Sequence, residues 1–377
     1  MEFDLSWILL GLPVAFALGW FASRLDLRQL RIENRRAPKA YFKGLNYLLN
    51  EQQDKAIDAF IEAVQNDPDT SELHFALGNL FRRRGEYERA VRVHEHLLSR
   101  ADLSRADRDR AQHALALDFL KAGLLDRAEA ALAKLEGTAF EAQARLARLA
   151  LYERTRDWTQ ASAIAQRLEQ AEPGPFAPRL AHYLCEQAAA LDDAAAQPLL
   201  REAMALAPTA ARPRMDLAAR LQRQGQDDAA VQLLLEATDA ARAWVPLLAG
   251  ALSDLARKGH RRDEVRQRLE SLYAEQPCLD LLEALVALDD APAQARARLL
   301  AHLQREPSLV AAAGWLAGES LGGDAQRAVV QRALDAAVRP LRRYRCAACG
   351  FEAKQHFWQC PGCQAWDSYP ARRVEEL

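Results

Sequence analysis

The sequence predicts an all-α protein: a long array of helix pairs, entered through one apolar helix and closed by a small four-cysteine knuckle. Three observations carry that reading. Half of the residues are apolar but only 7% are aromatic, and alanine and leucine dominate in runs such as Ala194-Ala195-Ala196 and Ala311-Ala312-Ala313. A set of small and aromatic residues recurs after 34 positions. Four of the six cysteines fall within residues 346–363.

The composition sets the helical class. Ala, Leu, Arg, Glu and Gln have the best intrinsic helix propensity, and the strand-forming Val, Ile and Thr are scarce. The formal net charge of -2 gives no overall reason to expect nucleic acid as a partner. Cys185 and Cys278 stand alone within helical sequence and read as small core residues. There is no glycine-rich nucleotide loop, HExxH or GxSxG, and the carboxylates are spread over helix surfaces. The chain is expected not to be an enzyme.

The first element is an apolar stretch. Residues 5–23 are 19 positions without a charge, which as a helix span about 28 Å, close to a bilayer's hydrocarbon core of about 30 Å. Trp7 and Trp20 lie near its ends, where indole rings favour the membrane–water interface. A cleaved signal peptide would start with positive charge, and this stretch follows Glu2 and Asp4. Residues 1–23 are therefore expected to be a transmembrane anchor. Arg24, Arg28, Arg31, Arg35, Arg36, Lys39 and Lys43 follow it, against only Asp26 and Glu33. The excess of positive charge places that side in the cytoplasm, with 24–36 a basic juxtamembrane linker.

The array comes next, over 37–340. Gly44, Tyr47, Ala56 and Phe60 are matched 34 positions later by Gly78, Phe81, Ala90 and His94. Small residues belong where two helices cross closely, and large rings fill the space between successive pairs. Gly85 permits the turn between helices, and Pro68 breaks the chain before the next pair. These positions resemble the tetratricopeptide-repeat family, which implies a superhelix whose groove is lined by the first helix of each pair. Weaker copies carry Phe119, Gly123 and Ala128; Tyr152, Trp158, Ala161 and Pro173; Leu184, Leu200 and Pro208; and Leu221, Gly225 and Ala230. Six units are clear, and 281–288, 295–303 and 325–338 read as degenerate copies, two or three in number. Helical geometry places Tyr41 and Leu45 of the first unit, and Phe75, Asn79 and Arg82 of the second, on the groove face. Asn79 could bond a peptide backbone there, with Arg82 and Arg83 available for a carboxylate.

The last element, 341–377, holds the most specific motif. Cys346 and Cys349 form one CxxC, and Cys360 and Cys363 another, ten residues further on. Four thiolates at this spacing suit one metal ion, iron or zinc, in a tetrahedral sulfur site. A redox pair of the thioredoxin kind lacks its βαβ context, and structural disulfides conflict with a cytoplasmic location. Gly350 and Gly362 are expected to supply backbone freedom to the two loops, and Tyr344, Phe351, Trp358 and Trp366 a small core. His356 is not needed as a ligand. The segment resembles a rubredoxin-type or zinc-ribbon knuckle, with Gln364 where a second glycine is expected and a shorter intervening stretch than in rubredoxins. Those departures favour a structural role, docked on the last helices.

Anchor, repeats and knuckle in this order resemble the lipopolysaccharide assembly protein B family of Gram-negative inner membranes. The resemblance implies a single-pass inner-membrane protein with a periplasmic N-terminus and a cytoplasmic bulk. It implies an adaptor that promotes proteolysis of the committed-step lipid A deacetylase by a membrane-bound AAA+ protease. Other lipopolysaccharide synthesis and export proteins are implied partners, and a second copy of the chain, as a homodimer, is a further candidate. The competing reading is a rubredoxin-like redox protein that passes electrons to a partner held by the repeats.

Overall fold

The computed structural model describes Phe16, Trp20 and residues 42–66, 70–171, 176–257, 259–319 and 324–377. Phe16 and Trp20 are helical and exposed. The rest of the expected anchor, including Trp7, lies outside the described residues, as do the linker 24–36, Tyr41, Pro68 and Pro173. No helix among the described residues is long and apolar enough to cross a membrane.

The chain divides into two compact units, 1–155 and 156–377. The first contains α1 (42–49), α2 (Gln53–Asn66), α3 (Ser71–Arg83), α4 (Tyr87–Ser99), α5 (Arg105–Ala122), α6 (Leu125–Ala133) and α7 (Glu141–Thr155). Its helices pack in sequence order, and first helices also touch one another, α3 against α5. Starts at Ser71, Arg105 and Glu141 keep an interval of roughly 34 residues.

The crossings show why the pattern repeats. A Cβ on Gly44 would meet the Phe60 ring at 2.9 Å, and one on Gly78 would meet the His94 ring at 2.5 Å. Glycine thus lets each second helix press a ring against the backbone of the first. Ala56, Ala90 and Ala128 on the second helices are completely buried, the reciprocal small positions. Gly85, at φ +80°, makes the α3–α4 turn in the left-handed region that glycine enters without strain. Ser104 caps α5 by accepting from the Asp107 N–H at 3.1 Å.

The second unit opens with α8 (Trp158–Ala171) and continues with α9 (Ala177–Ala189), α10 (Asp193–Leu206), α11 (Arg212–Arg223), α12 (Asp227–Ala240), α13 (Val245–Ala256), α14 (Arg262–Glu275), α15 (Leu279–Leu288), α16 (Pro292–Arg305), α17 (Leu309–Ala317) and α18 (Asp324–Val338). The odd-numbered first helices form a row, with α9 against α11, α11 against α13 and α13 against α15. Ala161 and Ala230 are again fully buried. The main core runs from α11 to α15 through Leu234, Leu248, Leu252, Leu269 and Leu285. The expected segments 281–288, 295–303 and 325–338 lie in α15, α16 and α18. Helix α17 was not among the expected segments, although Ser308 caps it by accepting from the Ala311 N–H at 2.9 Å.

The knuckle follows α18. It has two two-residue strands, β1 (Tyr344–Arg345) and β2 (Glu352–Ala353), paired antiparallel with Tyr344 opposite Ala353. A bridge joins Gln359 to Trp366. Its own buried core consists of Tyr344, Cys346, Cys360 and Tyr369, two of which are cysteines of the motif.

Candidate metal centre

The two CxxC segments adopt the same backbone path. In the first, the Cys346 N–H donates to Phe351 O and the Gly350 N–H returns to Cys346 O, both at 2.9 Å. In the second, the Cys360 N–H donates to Ala365 O at 2.9 Å and the Gln364 N–H to Cys360 O at 2.8 Å. The residue after each second cysteine is left-handed, Gly350 at φ +79° and Gln364 at φ +62°. This corrects one expectation: Gly362 is not the position needing backbone freedom, and a Cβ there would make only ordinary contact with Phe351 at 3.5 Å. The left-handed residue of the second loop is Gln364, placed where glycine was expected.

The loops face each other and bring four sulfurs within 4.8 Å of one another. The sulfurs of Cys346 and Cys363 are 3.8 Å apart, and those of Cys349 and Cys360 3.7 Å. Sulfurs about 2.3 Å from a central ion in a tetrahedron are about 3.8 Å apart, so the donor set fits one iron or zinc ion. Burial acts against a thiolate at Cys346. A hydrogen bond between Cys346 Sγ and Ser368 Oγ, with others from the Cys349 and Ala348 N–H groups, outweighs it and brings that thiol down to about 6. Ligands must be deprotonated to bind, so the first loop readies Cys346 for metal. At Cys349 the Phe351 N–H hydrogen bond is outweighed by burial and the neighbouring thiols, which push that thiol up to about 12. Cys346 and Cys360 are buried, whereas Cys349 and Cys363 face solvent. The centre is a four-cysteine site for a metal ion, buried on one edge and open on the other.

His356 stays out of the sulfur cluster. Its Nε2–H donates to Tyr369 O at 3.1 Å, and the ring packs edge-on to Tyr344 and Trp358. Burial holds its pKa below the ordinary 6.5. Cys185 and Cys278 are also apart from the site, buried among helices, and burial pushes the Cys278 thiol up to about 12.

The expected core of the knuckle is corrected as well. Tyr344 is buried, but Phe351 is 45% exposed beside the open edge of the centre. Trp358 and Trp366 turn outward onto the helices. Trp366 stacks on His182 of α9 at 4.8 Å and meets Trp158 and Tyr183 edge-on at 6.1 and 5.8 Å. Trp358 packs on Trp244 at 5.1 Å. His182 Nε2–H donates to Asp367 Oδ1 at 2.9 Å. The knuckle therefore reaches back to α8, α9 and α13 and is not confined to the last helices.

The last helices are held by the chain's final residues. Arg373 grips Asp280 of α15 through Nε, at 3.1 Å to both carboxylate oxygens, and Nη2, at 2.6 Å. Glu376 Oε1 accepts from the Leu279 N–H at 2.8 Å, and Glu375 Oε1 from the Leu309 and Val310 N–H groups at 2.6 and 3.2 Å. Two carboxylates at the C-terminus thus cap the N-termini of α15 and α17, where unpaired N–H groups and the helix dipole favour negative charge. Nothing in sequence spacing pointed to these contacts across 66 and 97 positions.

The residues expected on the groove sit as follows. Leu45 is half-buried against the first core. Phe75 is buried with Leu97, Leu103 and Ala111, beneath the Arg110 guanidinium at 4.1 Å, so it does not line an open face. Arg82 donates to Asp118 Oδ1 at 2.8 Å and to Asn79 Oδ1 at 2.5 Å. The buried Asp118 also accepts from His94 Nδ1–H at 2.5 Å. Asn79 and Arg82 are thereby built into an internal network, and among the described residues of the set only Arg83 is fully exposed.

Residues 344–369 match the family model described as rubredoxin metal binding domain. The chain is 32% identical to lipopolysaccharide assembly protein B of Escherichia coli (strain K12) over 389 residues, covering 99% of this chain and 100% of that protein. It is 26% identical to the protein of that name from Haemophilus influenzae, covering 96% of each. Among solved structures, a tetratricopeptide repeat protein from Parabacteroides merdae is similar over 67% of this chain and 98% of its own, at 12% identity and a TM-score of 0.36. Helix pairs in register and a rubredoxin-type knuckle agree with the near-complete overlap with the enterobacterial relative: the chain belongs to the lipopolysaccharide assembly protein B family.

Proposed function

We propose that the chain is an inner-membrane-anchored cytoplasmic adaptor that regulates lipopolysaccharide synthesis. In this reading, residues 1–23 anchor it, 24–36 link, 37–340 form the repeat array and 341–377 the metal knuckle. The array presents the committed-step lipid A deacetylase to a membrane AAA+ protease and gathers synthesis and export proteins. The observation that carries the reading is a whole-chain likeness to an assembly protein, in a chain built as an array of helix pairs. Side chains on the first helices, Arg83 among them, offer contacts to partners. The test is depletion of the protein in its own host with pulse-chase of the deacetylase. A lengthened half-life is expected; an unchanged one sinks the adaptor mechanism.

A second reading draws on the open edge of the centre. Cys349 and Cys363 face solvent, as an electron-transfer site requires. If it holds, purified protein is red and bleaches reversibly with dithionite; colourless protein with stoichiometric zinc removes this reading.

A further inference from the structure

We infer that the knuckle is a hinged cover on the second unit: bound metal is its latch, and the C-terminal carboxylates are its hinge. The two sets of contacts depend on different things. The docking residues flank the second cysteine loop, with Trp358 two positions before Cys360 and Trp366 and Asp367 three and four after Cys363. Their placement rests on the fold of residues 344–369, whose own core is four residues, two of them metal ligands. A segment this short does not hold its shape without its ion. The hinge residues lie beyond it. Glu375 and Glu376 bind the N-termini of α17 and α15 directly, through contacts that involve no ligand and no ligand loop, and Arg373 binds Asp280 while its guanidinium lies over the Tyr344 ring at 4.3 Å.

Loss of the ion therefore breaks one attachment and spares the other. The cover lifts from Trp158, His182, Tyr183, Trp244 and Leu247, and stays tethered at α15 and α17. His182 is the most telling reporter, because its side chain is only 3% exposed while the cover is docked. Cys349 and Cys363, on the open edge, give a chelator its approach. The array would then show an aromatic and histidine surface only when the metal is absent, which couples metal status to what the array can bind.

The experiment compares the full-length chain, kept soluble in mild detergent, with and without metal stripped by a chelator. Two readouts are taken: carbethoxylation of His182, and hydrogen exchange at the Leu279, Leu309 and Val310 amides. Stripping is expected to raise His182 labelling at least about tenfold and leave those amides within about twofold. The metal-loaded Glu375→Ala/Glu376→Ala variant is expected to show the reverse, faster amides and a protected His182. Wild-type labelling of His182 after stripping would overturn the latch. Equal exposure of both sites would overturn the hinge, and loss of the helical circular dichroism signal on stripping would show that the metal holds the array instead of a cover.

Discussion

At the crossing of α3 and α4, a histidine ring lies against Gly78, a completely buried alanine sits nearby, and the contact recurs at Gly44 and Phe60 one repeat earlier. In the knuckle, two loops of matching backbone face each other across four sulfurs, and Trp358 and Trp366 point away onto helices. The array is held by many copies of a local contact, so each copy carries a modest share of stability. The knuckle is held by one centre, so its stability is concentrated there. Regularity in one region and concentration in the other predict how each will fail.

The strongest way to test that contrast is Cys346→Ser. Removing a buried ligand is expected to cost the knuckle several kcal/mol, on the order of a structural metal's contribution. Metal analysis and limited proteolysis should show an empty, protease-sensitive 344–369 with the helical signal kept. Wild-type protease resistance would break the comparison. Next is Gly78→Ala, which forces a methyl group into the His94 ring; overpacking of this kind costs about 1–3 kcal/mol. Gly44→Ala should cost less in urea unfolding, because an added Cβ meets the Phe60 ring at 2.9 Å against 2.5 Å for the His94 ring at Gly78, and His94 is also tied to the buried Asp118.

A smaller effect is expected from pH. Burial in the second unit lowers the pKa of His302 below 6.5, where its Nδ1 pairs with the Tyr273 hydroxyl. A base with a depressed folded pKa favours folding fully above its unfolded value and loses that contribution as pH falls through the folded one. Urea midpoints measured from about pH 7.5 to about 5.5 should fall, and His302→Asn should flatten the slope. The smallest effect sharpens the likeness of the two loops. Gln364→Gly relieves a left-handed residue and loosens the unfolded chain, so a net stabilisation of about 0.5 kcal/mol is expected in knuckle unfolding. A loss of stability there would mean that the Gln364 side chain contributes more than its backbone costs.

Helix pairing could be read before any coordinates, since a small residue at each crossing leaves a periodic mark whenever a contact is local in sequence. Cysteine spacing told as much about the centre, because each tight loop presents two sulfurs by itself. Other features needed the folded chain. Trp358 and Trp366 looked like core residues of a small domain, and their true neighbours at 158, 182, 183 and 244 lie more than a hundred positions away. Arg82 looked like a groove residue until Asp118, on the next first helix, was found to accept from it. Ser308 offered a local sign of α17, while Glu375 and Glu376 offered none of their capping role.

Sequence by itself determined the helical class, the repeating crossings and the four sulfur ligands, because each follows from residues close together along the chain. Tertiary structure alone decided where the knuckle lies, which carboxylates close the last helices and which polar groups face inward. Those contacts join residues brought together only after the array has formed, and no periodic pattern encodes them.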